Sequence, residues 1–121
     1  MRVSGLQQAP CGTTARQVIE RARRCGAGAY VVDGAETRDK AAALDAIGRA
    51  LSFPAWYGHN LDALYDCLTD LSWLPAGEHV LVWSRHRELA THDRDVYEAV
   101  MGVLADAAET NQRLTVVLTD G

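Results

Sequence analysis

The sequence predicts an α/β domain built on a mostly parallel sheet. Three observations predict it. Short β-prone apolar runs alternate with helical periodicities, no tight hairpin signal joins any two of those runs, and 121 residues suffice for one domain but not two. Hydrophobic residues make up 48% and charged residues 23%, which excludes a disordered chain.

The elements follow in order. Thr13 or Thr14 can cap a helix on which Val18, Ile19 and Ala22 share one face, ending near Cys25-Gly26. Ala29–Asp33, bounded by Gly28 and Gly34, reads as a buried strand. Leu44, Ile47 and Leu51 have helical spacing from Asp39 onward, and Pro54 stops the pattern. Trp56-Tyr57-Gly58-His59 forms an irregular aromatic link. Asn60 is a good N-cap for a helix running to about Leu71. Pro75-Ala76-Gly77 turns the chain into a strand at Val80–Trp83. A long helix spans roughly Asp93 to Thr110, with Val96, Val100, Val103, Leu104 and Ala107 on one side. Arg113–Thr119 closes the chain as a third strand of high β-propensity. With three strands, helices must cover much of the sheet.

Several function classes are disfavoured. The apolar runs Val80–Trp83 and Val116–Leu118 are too short to cross a bilayer, and Met1 to Pro10 has no apolar stretch of a secretory signal, so a cytoplasmic location is expected. Cys11, Cys25 and Cys67 are odd in number and widely spaced, without a CxxC. They read as free thiols in or near the core, not as disulfides or a zinc site. Residues 1–55 carry eight basic and five acidic side chains, a charge of +3, whereas residues 56–121 carry four and eleven, a charge of −7. The second half repels nucleic acid and attracts a basic partner.

The segment Asn60–Leu71 (NLDALYDCLTDL) is the most informative. Leu61, Leu64, Leu68 and Leu71 fall on one face, while Asp62, Asp66 and Asp70 form a stripe on the other, bordered by Tyr65 and Thr69. Like charges at i, i+4 destabilise a helix by roughly 0.2–0.5 kcal/mol per pair, and no basic residue of this helix offsets them. The bland reading is a solvated face. The sharper one is a surface for a cationic partner, because unpaired carboxylates stand beside Trp56, Tyr57 and Tyr65, and rings exclude water around charge-assisted hydrogen bonds. Paired carboxylates can also serve glycoside hydrolysis, but aspartates along one convex helix do not converge on a substrate. His59 with Asp62 and Asp66, or His86 and His92 with Asp93 or Asp95, offers metal ligands at nonspecific spacings. Cys67 faces the core side. No P-loop, GxGxxG or GxSxG occurs.

The run from Pro54 to Thr69 (PAWYGHNLDALYDCLT) resembles the signature of the barstar family, intracellular inhibitors of guanyl-preferring bacterial ribonucleases. The resemblance covers about Ala29 to Thr119. It implies a barstar-like domain at 29–121 and an N-terminal extension at 1–28, with one extra helix packed on or near it, in a single domain overall. It further implies an inhibitor, not an enzyme, that docks this helix and the preceding loop into a ribonuclease active site. Asp66 would be the central carboxylate, at the place of an RNA phosphate, and Asp62 would meet arginine and backbone groups. Trp56, where the archetype has tyrosine, would stack over the catalytic histidine region. Gly58, Asn60 and Thr69 would make close main-chain or hydrogen-bond contacts, and Asp106 a rim charge where the family has glutamate. Tyr57, Leu61, Tyr65 and Asp70 complete the expected partner-binding surface. Tyr65 replaces a tryptophan of the family pattern, and Asp70-Leu71 replaces a Gly-Trp pair.

The expected partner is a secreted guanyl-specific ribonuclease, bound one-to-one by a protein that is monomeric when free. No catalytic residue, metal, cofactor, nucleic acid or membrane is implied. The alternatives are an immunity or antitoxin-type binder of another basic toxin, and a small carboxylate- or metal-dependent hydrolase.

Overall fold

The structure is a computed structural model that describes residues 5–121, so the first four residues of the stretch read for a signal lie outside the described residues. In chain order the elements are β1 (Gly5–Gln8), α1 (Ala15–Arg24), β2 (Gly28–Asp33), a 3-10 turn at Gly34–Glu36, α2 (Lys40–Ala50), α3 (Leu61–Asp70), β3 (His79–Ser84), α4 (Arg87–His92), α5 (Arg94–Thr110) and β4 (Leu114–Thr119). No described helix is long and apolar enough to cross a membrane.

The sheet has four strands in the order β1-β4-β3-β2, with every pairing parallel. The expectation of three strands is therefore corrected, and the physical reason is local. Gly-Leu-Gln-Gln contains no β-branched residue and leaves both glutamines exposed, so β1 carries no strand signal of its own. Its backbone is held by β4 from Gly5 opposite Thr115 to Gln8 opposite Leu118. β2 is the other edge. It is less buried than its apolar run suggests: Val32 is buried, but Val31 is 47% exposed. The central pair, β3 and β4, takes the buried role instead. The helix α4 also escaped the sequence reading, being a six-residue element without a side-chain cap.

Alternation along the strands divides the molecule into layers. Leu81 and Trp83 of β3, with Leu114, Val116 and Leu118 of β4, join one core with Leu44 and Ile47 of α2, Leu64 and Leu68 of α3, and Val100 and Leu104 of α5. The intervening Val82 and Val117 face the other way, where α1 lies over β2 and β3. α1 begins with a reciprocal cap in which the Thr14 hydroxyl accepts from the Gln17 N–H and the Gln17 side chain accepts from the Thr14 N–H.

Two glycines allow close approaches. A Cβ on Gly34 would run into the backbone carbonyl of Arg85, so the ends of β2 and β3 meet only because that side chain is absent. A Cβ on Gly48 would stand 2.9 Å from the Tyr57 ring, which fixes the loop leading into α3. Of the cysteines, only Cys67 is buried; Cys11 and Cys25 are exposed, which corrects their expected place in or near the core.

Candidate functional site

α3 is set by its ends and its apolar side. The Asn60 side chain accepts a hydrogen bond from the Ala63 N–H at 2.8 Å, and Leu71 ends the helix in a left-handed conformation at φ 50°. Leu64, Cys67 and Leu68 are fully buried, while Leu61 is half-buried at the entry. α5 packs against it, tied by Tyr65 Oη to Thr110 Oγ1 at 3.0 Å and by Asn111 Nδ2 donating to the Leu68 carbonyl at 3.0 Å.

This packing leaves Asp62, Asp66 and Asp70 exposed, each one turn from the next. No arginine, lysine or histidine among the described residues pairs with them. Elsewhere five acids are held by arginines: Glu20 by Arg16, Asp33 by Arg85, Asp45 by Arg49, Glu98 by Arg94 and Asp120 by Arg87. Asp106 is exposed on α5, one turn before Thr110, whose hydroxyl meets that of Tyr65. The Thr69 hydroxyl is half-buried and donates back to the helix, to the carbonyls of Tyr65 and Asp66 at 2.9 and 3.1 Å.

The loop before α3 presents Trp56, 62% exposed, together with exposed Gly58 and Asn60. Trp56 does not stand alone. It meets Trp73 edge to face at 6.4 Å, Trp73 meets Phe53 at 5.7 Å, and Phe53 meets Tyr57 at 4.8 Å. Trp73 in turn donates its indole N–H to the Leu51 carbonyl at 2.9 Å. Phe53 and Trp73 are supporting residues that sequence reasoning missed. The available signal was the run of rings at 53, 56 and 57, but their link to Trp73 crosses a whole helix.

Tyr57 requires a correction. Its side chain is buried and donates its hydroxyl to the Leu44 carbonyl at 3.1 Å, so it anchors the loop to α2 and offers a partner no ring. Burial pushes its hydroxyl pKa up, and the Cys67 thiol and Asp45 carboxylate add to the effect.

The histidines do not converge on the aspartate stripe. His59 lies at φ 52° with Nε2 3.7 Å from Asp45, and His86 is buried with Nδ1 2.7 Å from the Tyr97 hydroxyl. Among the described residues, no group of three His, Cys, Asp or Glu side chains is placed to hold a metal. Burial, with the neighbouring Asp66 and Asp70, pushes the Cys67 thiol up, which keeps it protonated and a poor nucleophile.

The arrangement offers directed anionic acceptors on a rigid helix beside a supported, exposed ring. Residues 28–119 match the family described as barstar (barnase inhibitor). Among solved structures, a Walker-type ATPase of Pyrococcus abyssi matches 95% of this chain at a TM-score of 0.55 and 11% identity, a likeness of fold alone. This chain spans 39% of that longer protein.

Proposed function

Since the chain belongs to the barstar family, a family of protein inhibitors and not of enzymes, we propose that it blocks a secreted guanyl-specific ribonuclease by seating α3 and the preceding loop in the enzyme's active site. One observation carries the reading: Asp62, Asp66 and Asp70 stand exposed in a single row along α3, one turn apart, with no basic partner among the described residues. Repulsion along the stripe works against the free helix, so a like-charged row is explained by what it meets.

Asp66, central in the stripe, takes the place of an RNA phosphate and accepts charge-assisted hydrogen bonds from the enzyme's cationic groups. Asp62 reinforces it near the helix N-terminus. Trp56 covers the contact from the loop and excludes water, while the bare backbone at Gly58 permits close approach. Asp70 and Asp106 extend the acidic surface toward its rim, and Thr69 borders it. No bond is broken; inhibition is competitive occlusion in a one-to-one complex.

Titration of the purified protein against guanyl-specific ribonucleases in chelator-containing buffer tests this. Inhibition at nanomolar or lower concentration supports it. Absence of inhibition, or an intrinsic hydrolase activity lost in chelator, overturns it.

A further inference from the structure

The sheet face opposite α3 is only partly covered by the described residues. One face takes α2, α3 and α5; the other takes the ten residues of α1 over β2 and β3. Beside α1, over β3, β4 and β1, runs a groove of about 640 Å³. Val80, Thr115 and Val117 form its floor, and Val18, Arg21 and Arg24 line its α1 wall. Parallel sheets bury both faces under helices. The vacant strip lies where a second helix would stand next to α1, and its partly apolar floor requires an occupant with an apolar side.

The charge on the wall selects among occupants. Arg21 and Arg24 are three residues apart and share a side of α1. Neither pairs with a carboxylate among the described residues. The nearby acids are engaged already: Glu20 by Arg16, and Glu78 is not free either. A second copy seated through its own α1 would set arginines against arginines, since Arg16, Arg21, Arg23 and Arg24 outnumber Glu20 on that helix. A second copy's α3 has the right charge, but its apolar side is sunk in its own core. Nucleic acid has the charge without the apolar face. We propose that this groove docks an acidic amphipathic helix of another protein, laid beside α1 with its carboxylates toward Arg21 and Arg24. Because α3 lies across the sheet, the groove stays open when α3 is occupied.

The test uses the full chain and labelled helical peptides of about fourteen residues, roughly 21 Å long. Each has leucine and alanine on one face and glutamate on its flanks; matched peptides carry lysine instead. Fluorescence anisotropy should show the glutamate peptide binding at least about tenfold more tightly than the lysine peptide. R21E/R24E should reverse that order while the protein stays folded at the assay temperature, although two acids in the last turn of α1 lower its melting point, and Asp66→Ala should leave peptide binding unaltered. These outcomes do not depend on any ribonuclease, so they stand or fall apart from the inhibitor reading. Equal binding of both peptides, binding of neither, or unchanged preference in R21E/R24E overturns the proposal. So does displacement of the peptide by an RNA oligomer, or concentration-dependent dimerisation that the peptide blocks.

Discussion

α1 and α3 are both ten residues long and lie on opposite faces of one sheet, yet they are held and charged in opposite ways. α3 sinks Leu64, Cys67 and Leu68 completely, whereas α1 buries only Ala15 and Ala22. α1 compensates locally. It has the Thr14–Gln17 capping box, the Arg16–Glu20 pair, and Arg21, Arg23 and Arg24 in the last turn, where cations favour the negative helix end. α3 has the reverse: Asp70 stands in its last turn, and no basic residue does. Magnitudes explain how α3 survives. Burying a leucine side chain contributes about 1.5–3 kcal/mol, against a few tenths for each repelling pair. A helix anchored by the core can carry charges that do nothing for its own stability; a lightly anchored helix cannot.

The largest expected effect tests that anchoring. Leu68→Ala should lower unfolding free energy by about 2–5 kcal/mol, whereas Ala22→Gly in α1 should lower it by about 1 kcal/mol. Urea denaturation measures both, and equal losses would break the comparison.

The second test separates what the charges are for. Asp66→Ala should weaken ribonuclease binding by roughly 2 kcal/mol or more and leave stability equal or slightly raised. Arg23→Ala should do the opposite, lowering stability by about 0.3–1 kcal/mol with inhibition unchanged. Unchanged affinity in Asp66→Ala would remove the central carboxylate from the interface.

A third test uses pH. Both buried histidines lie on the α3 side of the sheet: His79 beside Tyr30, and His86 against Trp83 and Tyr97. Burial pushes the His86 pKa down, Arg87 adds to this, and Asp120 opposes it. Burial likewise pushes His79 down, opposed by a hydrogen bond to Pro75 and aided by Arg113. The unfolded imidazoles, with the ordinary value of 6.5, therefore bind protons at a pH where the folded ones do not. Stability is full above that value and falls as pH drops through it, by at most about 1.4 kcal/mol per pH unit for each histidine. His86→Phe should flatten the dependence in melts between pH 7 and 5, and Arg23→Ala should not. Parallel curves for His86→Phe and the parent would assign the loss to other groups.

The smallest effect concerns the end of the stripe. Asp70→Lys gives Asp66 a partner one turn away and places a cation in the last turn, so the free protein should gain about 0.2–0.5 kcal/mol. If Asp70 belongs to the interface, the same protein should inhibit more weakly. Higher stability with an unchanged inhibition constant would end the functional stripe at Asp66.

Much of α3 was legible before any coordinates. The Asn60 cap, the Leu64 and Leu68 face and the aspartate spacing are relations within four residues, and the helix keeps them. The caps at Thr14, Asp39 and Asp93 were equally near their helices in the chain. Tyr57 was misread because aromatic character alone does not say whether a ring stacks outward like Trp56 or plugs inward over Gly48.

The sequence by itself determined most of the helices and strands, where most of those begin, and which helix carries an unbalanced negative face. Those properties arise from interactions between near neighbours in the chain. Tertiary structure decided that Gly5–Gln8 is a strand, that β2 is an edge, and that Trp56 rests on Trp73. Each of these depends on pairing residues far apart, such as Gly5 with Thr115, and no local pattern encodes a partner that distant.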